Sequence, residues 1–299
     1  MAILGTASAL PQARSRNPRA RRGGPIWKLC TGVAICTLLA SAALFPGAFT
    51  RSDPLQQQLA DRLLPPGWSH GGSMAHPLGA DALGRDLLAR VIYGARYTPP
   101  ISMAAVAAAG TVGTVLGIVA GYFGGLVDLV IIALADFMLS FPFILTALLI
   151  AAVLGAGVIN LIVILALGTW PTYTRIARAE TASMRHREFM TAARAMGLRT
   201  VVMLRRHLLP NISSSLIVIG SLEVARLMIA EAFLSFLGFG VPPPLPSWGN
   251  MIATGRDYLI QQPWLVTVPG LAIMLSATAF NFLGDALREL LDPRFARGD

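Results

Sequence analysis

Long apolar runs dominate this chain and restrict it to folds that sit in a lipid bilayer. An α-helix needs about 20 apolar residues, at about 1.5 Å each, to cross a hydrocarbon core. Charged residues make up only 13% of the chain, about half the fraction usual in soluble proteins. The pattern predicts an all-α membrane protein with six transmembrane helices, at residues 28–49, 101–123, 127–153, 158–177, 213–237 and 264–287.

The basic residues predict the orientation of the chain. Its formal net charge is +9, and the basic residues concentrate before residue 29 and between Arg175 and Arg206, beside apolar runs where positive charge marks the cytoplasmic side. No aromatic pattern is interleaved with these arginines, so nucleic acid is not expected as a partner. The predicted organisation is a cytoplasmic basic tail at 1–27, a first transmembrane helix at 28–49, an external loop at 50–98, a five-helix transmembrane domain at 99–290 and a cytoplasmic tail at 291–299.

The first apolar run has an alternative interpretation. Arg21-Arg22 and Ala40-Ser41-Ala42 also resemble a signal peptide with a twin-arginine start. Because the run continues through Phe49 and the rest of the chain is multispanning, we interpret it as a retained helix. Cys30 and Cys36 lie inside it as small apolar residues, and no disulfide framework or metal site is predicted.

Glycines in the second run predict close helix packing. Gly113, Gly117, Gly121 and Gly125 recur every four residues and therefore line one helical face. Small residues on such a face let another helix approach closely. We interpret this stripe as a packing surface and not as a chemical site.

Prolines predict two interruptions of the helical structure. Pro142 lies within the third run, where it is expected to kink the helix. The stretch 241–250 (VPPPLPSWGN) has too many prolines for a helix. We expect an ordered external connector there, with Trp248 at the membrane interface.

One basic segment, EFMTAARAMGLRTVVMLRRHLLPN at Glu188–Asn211, interrupts the apolar pattern. Gly197 is placed as the C-cap of a first short helix, and a second short helix is expected from Arg199 to Leu208. Pro210 either stops that second helix or opens the next span. The first helix has a narrow apolar face, formed at spacing i, i+3, i+4 and i+7 by Phe189, Ala192, Ala193 and Met196.

The pattern alone leaves two interpretations of this segment. It is either an amphipathic loop that lies among anionic head groups, or a compact knob that seats in a groove of another protein. Its alanines permit the close approach that the second interpretation requires.

The segment resembles the EAA loop of ABC-importer permeases, whose pattern is EAA, three residues, Gly, nine residues, Ile, one residue and Leu-Pro. Here Ala192-Ala193, Gly197 and Leu209-Pro210 keep that spacing. Thr191 stands where the family usually has glutamate, and His207 stands at the isoleucine position.

Further segments resemble the dipeptide/oligopeptide branch of that family, in the same order, over about residues 75 to 295. They are Leu78–Asp86 (LGADALGRD), Ile92–Arg96 (IYGAR), Gly121–Gly125 (GYFGG), Phe141-Pro142, Leu234–Gly238 (LSFLG), Pro246–Gly249 (PSWG), Ala279–Asn281 (AFN) and Leu291–Arg294 (LDPR).

This resemblance implies a type I ABC importer permease fold in a bacterial inner membrane, with cytoplasmic coupling helices in an EAA loop at 185–211. The implied partners are a second homologous permease in a heterodimer, two ABC ATPase subunits, a periplasmic or lipid-anchored solute-binding protein and membrane lipid. Glu188, one turn before Thr191, is expected to substitute for the missing glutamate. The implied ATPase-coupling residues are Glu188, Phe189, Thr191, Ala192, Ala193, Met196, Gly197, Leu209 and Pro210.

The chain is not expected to be an enzyme. A P-loop requires a lysine in GxxxxGK[ST], and the only lysine, Lys28, follows Trp27. ATP hydrolysis is therefore assigned to partner subunits, and no catalytic residue, cofactor or metal is predicted.

Charged residues inside the predicted spans are candidates for function because charge at membrane depth is costly. Asp136 lies in the third span, and Glu223 and Arg226 lie in the fifth at a spacing that allows an ion pair. They either line the translocation path or lock helices together. We favour helix locking, because peptide passage needs a weakly binding lining.

The predicted function is that of a permease subunit for di- or oligopeptides. Family relatives also carry nickel, glutathione or other small solutes, so those cargoes remain alternatives. An ATP-independent secondary transporter is a different class, but it would be expected to have an inverted repeat of its spans. A membrane scaffold would need neither the interior charges nor the basic segment.

Overall fold

A computed structural model describes residues 24–291. Most of the cytoplasmic tails predicted at 1–27 and 291–299, with their basic residues and the end of the LDPR segment, lies outside the described residues. The described chain is largely helical. Its α-helices are α1 Gly24–Leu44, α2 Pro46–Phe49, α3 Leu87–Gly94, α4 Thr98–Phe123, α5 Gly125–Leu139, α6 Phe143–Leu154, α7 Val158–Met184, α8 Glu188–Ala195, α9 Thr200–Met203, α10 Leu209–Phe236, α11 Trp248–Gly255 and α12 Trp264–Leu291.

Three helical stretches of the described chain are long and apolar enough to cross a membrane: Trp27–Leu44, Leu87–Phe123 and Trp264–Leu290. The bent pair α5 and α6 raises the number to four if it forms one span. Helices α7 and α10 have the necessary length, 27 and 28 residues, but are not among these stretches. The all-helical membrane architecture is confirmed, whereas the count of six spans stays a prediction.

Helices α4 and α7 form the most extensive helix pair, and the glycine stripe makes it possible. A Cβ on Gly113 would lie 2.5 Å from the Trp170 carbonyl oxygen, and one on Gly117 would lie 2.5 Å from that of Thr174. Gly121 is equally close to α7. Gly125 does not belong to this contact, because a Cβ there would meet nothing within 4 Å. Its φ of +56° lies in the left-handed region of backbone conformation, which glycine adopts more readily than other residues.

Gly117→Ala is therefore expected to destabilise the protein by about 1–3 kcal/mol, the usual cost of overpacking. The new methyl group would also lie 2.7 Å from the Ala177 Cβ, so the two helices would have to separate. Thermal unfolding of the detergent-solubilised protein measures the effect. Gly270→Ala in α12 is the matched control, since its Cβ would meet nothing within 4 Å, and equal melting temperatures for the two variants would contradict the packing role.

The third predicted span is broken more sharply than a kink. Helices α5 and α6 meet at an angle of 90°, and Pro142 is the N-cap of α6 with ψ of 128°. Proline has no N–H for the α5 hydrogen-bond ladder and pushes its preceding residue out of the helical region. A single helix over 127–153 was therefore a wrong prediction.

Trp248 is buried inside the protein and does not face lipid. It is 1% exposed, begins α11, and its indole N–H donates to the Val91 carbonyl at 2.8 Å. Gly94 makes room for the indole, since a Cβ there would lie 2.6 Å from two ring atoms. Helix α11 can begin directly after the proline-rich stretch because the Ser247 side chain caps it, accepting a hydrogen bond from the Asn250 amide.

The segment between α2 and α3 is an ordered loop held by His76. The imidazole Nδ1 lies 2.9 Å from Asp86 Oδ2, and Nε2 lies 3.3 Å from Asp61 Oδ2. Asp86 also caps α3 by accepting from the Ala89 amide. Burial alone would lower the pKa of His76, but hydrogen bonds and charges from Asp86 and Asp61 outweigh it and raise the pKa above its ordinary value.

This loop is expected to loosen as pH rises. A raised pKa in the folded state means that the contribution of His76 is complete below its ordinary pKa of about 6.5 and is lost as pH rises through the folded pKa. Hydrogen exchange of residues 59–90, corrected for intrinsic rates, should show protection that falls as pH rises above about 6.5. His76→Gln should remove this dependence, and a dependence that survives the substitution would assign it to another group.

Candidate functional site

The basic segment folds as a helical hairpin, residues 188–208, that projects between α7 and α10. Its first helix, α8, ends in a Schellman motif at Gly197, whose φ is +75°. The Gly197 amide donates to the Arg194 carbonyl at 3.1 Å, and the Leu198 amide donates to the Ala193 carbonyl at 3.2 Å. Gly197 is thus the C-cap that the sequence predicted.

One face of the hairpin packs against the transmembrane helices. Met190 and Ala193 are 0% and 3% exposed. They share a buried apolar cluster with residues of three long helices, α4, α7 and α10, and with the second half of the hairpin. The other buried members are Ile118, Ala177, Met203, Leu208 and Ile212.

The other face of the hairpin is uncovered in the single chain. Phe189 and Met196 are 40% and 73% exposed, and Ala192 lies between them on the same side of α8. The apolar face predicted from spacing therefore divides in two. Ala193 turns inward beside Met190, which sequence reasoning missed, and the other three members turn outward.

The polar members of the predicted set lie at the rim of the hairpin. Glu188 and Thr191 are exposed, and the Thr191 hydroxyl donates to the Arg187 carbonyl within its own helix at 3.3 Å. The short Thr191 side chain therefore bonds only within its own helix, whereas the glutamate that the family usually has at this position is a longer side chain.

Two arginines tie the hairpin to the ends of α4 and α7. Arg185 Nη1 donates to the Gly121 carbonyl at 3.2 Å, which satisfies the open C-terminus of α4. Arg194 Nη2 donates to the Arg185 carbonyl at 3.2 Å, and its guanidinium lies over the Tyr122 ring at 5.8 Å. These contacts connect α8 with the ends of both helices.

The second half of the hairpin continues into α10 without a stop. Residues Leu204–Leu208 form a π-helical turn that joins α9 to α10. Leu209 and Pro210 are exposed and begin α10, so Pro210 opens the span. The wider turn accommodates the proline, which has no N–H to donate, and the Asn211 side chain donates to the His207 carbonyl at 2.6 Å.

Two Arg–Asp pairs link α5 to α7. Arg178 Nε donates to Asp128 Oδ1 at 2.9 Å, and Arg175 Nε donates to Asp136 Oδ1 at 3.1 Å. Sequence reasoning singled out Asp136 but missed its partner and the second pair. The signal was present, because residues 128 and 136 share a face of one helix and residues 175 and 178 share a face of another.

Glu223 and Arg226 form the ion pair that their spacing allows, with Arg226 Nε 2.7 Å from Glu223 Oε2. The same guanidinium donates to the Thr169 hydroxyl at 3.3 Å and lies 5.0 Å from the Phe143 ring centroid. Arg226 therefore connects α10 with α7 and α6. The structure does not bring this pair close to the hairpin.

These features define a class of protein: a helical membrane subunit of a transporter, with a projecting element tied to its long helices. Residues 113–297 match the family described as "Binding-protein-dependent transport system inner membrane component". The chain belongs to that family, whose members are permease subunits of ABC importers and work with ATPase and substrate-binding partners.

Similar proteins agree with this membership. The chain is 39% identical over 263 residues to the "Di/tripeptide transport system permease protein DppC" of Pseudomonas aeruginosa (strain UCBPP-PA14), covering 88% of this chain and 87% of the relative. It is 34% identical to the "Probable D,D-dipeptide transport system permease protein DdpC" of Escherichia coli (strain K12), covering 97% and 96%. It is 38% identical to the "Glutathione transport system permease protein GsiD" of Pectobacterium atrosepticum, covering 76% and 75%.

The fold has a counterpart among solved structures. A chain of the inward-facing MetNI methionine ABC transporter superimposes with a TM-score of 0.55, covering 67% of this chain and 96% of the other, at 18% identity. The type I importer permease fold is therefore confirmed, and at that identity the likeness concerns the fold alone.

Proposed function

We propose that this chain forms one half of the translocation pathway of an ATP-driven importer for di- or oligopeptides. A second homologous permease supplies the other half, and two separate ATPase subunits supply the energy. The di/tripeptide and D,D-dipeptide transport named for two relatives supports the peptide cargo. In this arrangement six spans place both termini in the cytoplasm and the loop at 50–98 outside.

The observation that carries this proposal is the two-sided hairpin. Its outward face, with Phe189 and Met196 exposed, has the apolar character of a protein contact and is rimmed by arginines that pair with acidic groups or carbonyls. Its inward face locks onto α4, α7 and α10. Closure of the ATPases would move the hairpin, and the attached helices would open the outer side of the pathway.

A solute-binding protein, periplasmic or lipid-anchored, delivers the cargo to the outer side. The ordered loop at 50–98 and the stretch 240–262 offer it a preformed surface, because both are held by internal hydrogen bonds such as those of His76 and Trp248. Preformed surfaces lower the entropy cost of association.

We assign Asp136, Glu223 and Arg226 to helix locking. Each has a bonded partner on its own or a neighbouring helix, and a charge so neutralised gives a passing peptide little to bind. Reciprocal exchange of Asp136 and Arg175 should then preserve transport, whereas the same exchange should change selectivity if the pair lines the path.

The test is reconstitution of the chain with its co-purifying subunits in proteoliposomes. Uptake of a labelled dipeptide should require ATP and the solute-binding protein. Labelled glutathione and nickel ions are the competing cargoes, and the glutathione relative makes the first of these a specific alternative. Uptake that follows an ion gradient without ATP would place the chain among secondary transporters instead.

A further inference from the structure

Two adjoining depressions lie at the end of α1 that carries Leu44. The first is an open chamber of about 630 Å³ whose lining combines charged, polar, aromatic and aliphatic side chains. The side chains that give it chemical character are Arg51, Ser52, Asp53, Tyr93, Arg96 and Tyr97.

The second depression is an apolar groove of about 260 Å³ where α1 faces α4 and α12. Its lining is almost wholly apolar: Leu39, Ala40, Ala43 and Leu44 come from α1, Pro99 and Met103 from α4, and Phe280 from α12. Because Ala40 and Ala43 are small and lie between the two leucines, the groove has room for a narrow hydrocarbon chain.

Arg96 joins the chamber to the groove. Its Nη2 donates to the Leu44 carbonyl at 3.3 Å, its Nε donates to the Ala43 carbonyl, and its guanidinium lies 5.3 Å from the Tyr93 ring centroid. Ala43 and Leu44 line the groove, whereas Arg96 and Tyr93 line the chamber. The two depressions therefore adjoin at Arg96, and one ligand can occupy both.

The chamber has an excess of positive charge. Arg51 and Arg96 face a single carboxylate, Asp53, whose Oδ1 already accepts the Leu55 amide at 2.8 Å. Arg51 makes no hydrogen bond or ion pair within the described part of the chain. Its guanidinium is therefore available to an anion.

We propose that this composite site binds a phospholipid, with the headgroup phosphate in the chamber and one acyl chain in the groove. A free phosphate would leave the groove empty, and a neutral hydrocarbon would leave the Arg51 guanidinium without an anion. The surrounding surface also suits a bilayer, since Leu44 and Phe45 are 68% and 66% exposed beside the site. The inference requires only that the chain is embedded in a membrane, so it stands apart from the proposed function.

Native mass spectrometry of the full-length protein, purified with its associated subunits, tests the site. Delipidated protein is titrated with phosphatidylglycerol or phosphatidylcholine. Arg51→Gln should weaken phosphatidylglycerol retention about five-fold, the factor expected for one arginine beside an anionic lipid, and should affect phosphatidylcholine less. Ala40→Phe, which fills the groove, should reduce retention of both lipids. Arg256→Gln removes an exposed cation elsewhere and should change neither.

Three results would overturn the proposal. Equal lipid retention by all variants would show that the site holds no lipid. Displacement of the lipid by inorganic phosphate alone would make it an anion site without an acyl chain. Efficient cross-linking of a photoreactive residue at position 40 to another polypeptide would make the groove a protein interface.

Discussion

Ala193→Phe is expected to leave the ATPases bound but to reduce ATP-driven uptake about ten-fold or more. Ala193 is 3% exposed in the cluster that holds the hairpin on the long helices. A phenyl group there overpacks the contact by about 1–3 kcal/mol, and each 1.4 kcal/mol is about ten-fold in population. The outward face stays intact, so docking survives while transmission fails.

Parallel assays of ATPase co-purification and uptake in proteoliposomes measure this result. Ala195→Phe is the matched control, because Ala195 is an exposed alanine of the same helix away from the buried cluster. Normal uptake by the Ala193 variant would show that the inward face does not transmit the motion. Loss of the ATPases from it would show that the two faces of the hairpin are not separable.

The double variant Phe189→Ala, Met196→Ala is expected to give the opposite result, with a folded permease that loses its ATPases. Both side chains are largely exposed in the single chain, so their truncation removes little internal packing. Apolar anchors at the centre of an interface each contribute about 2 kcal/mol when they act as hot spots. Loss of both should weaken ATPase binding at least about 30-fold.

Co-purification at graded detergent and salt concentrations, followed by uptake, checks this expectation. Leu290→Ala is a suitable control, since Leu290 is 64% exposed and lies near the end of α12 that is expected to face the cytoplasm. If the double variant keeps its ATPases as firmly as this control, the outward face is not the docking surface.

Local features of the chain were predictable because they depend on short-range geometry. The C-cap at Gly197 follows from a left-handed position that glycine adopts most readily. The Glu223–Arg226 pair follows from a spacing of three residues on one helix. The packing role of Gly113, Gly117 and Gly121 follows from their common helical face. None of these inferences needed to know which helix lies opposite.

Features that depend on a partner element were predicted less well. Trp248 was placed at a membrane interface because tryptophan is enriched there, but the gap above Gly94 is visible only once α3 and α11 are packed. Gly125 shared the spacing of its neighbours yet lies beyond the end of α4, where no helix opposes it. Pro142 predicted a bend in the helix. The angle of 90° between α5 and α6 is seen only in the tertiary structure, in which α6 packs against α7.

The amino-acid sequence alone determined that the chain is helical and membrane-bound, because unsatisfied backbone groups and exposed charge are too costly in hydrocarbon. It also located the basic hairpin and the glycine that turns it. Only the tertiary structure decided which side of that hairpin belongs to the chain itself: Met190 and Ala193 turn inward because α4, α7 and α10 converge behind them. Periodicity states that residues share a face, but the identity of the opposing surface is a long-range property of packing.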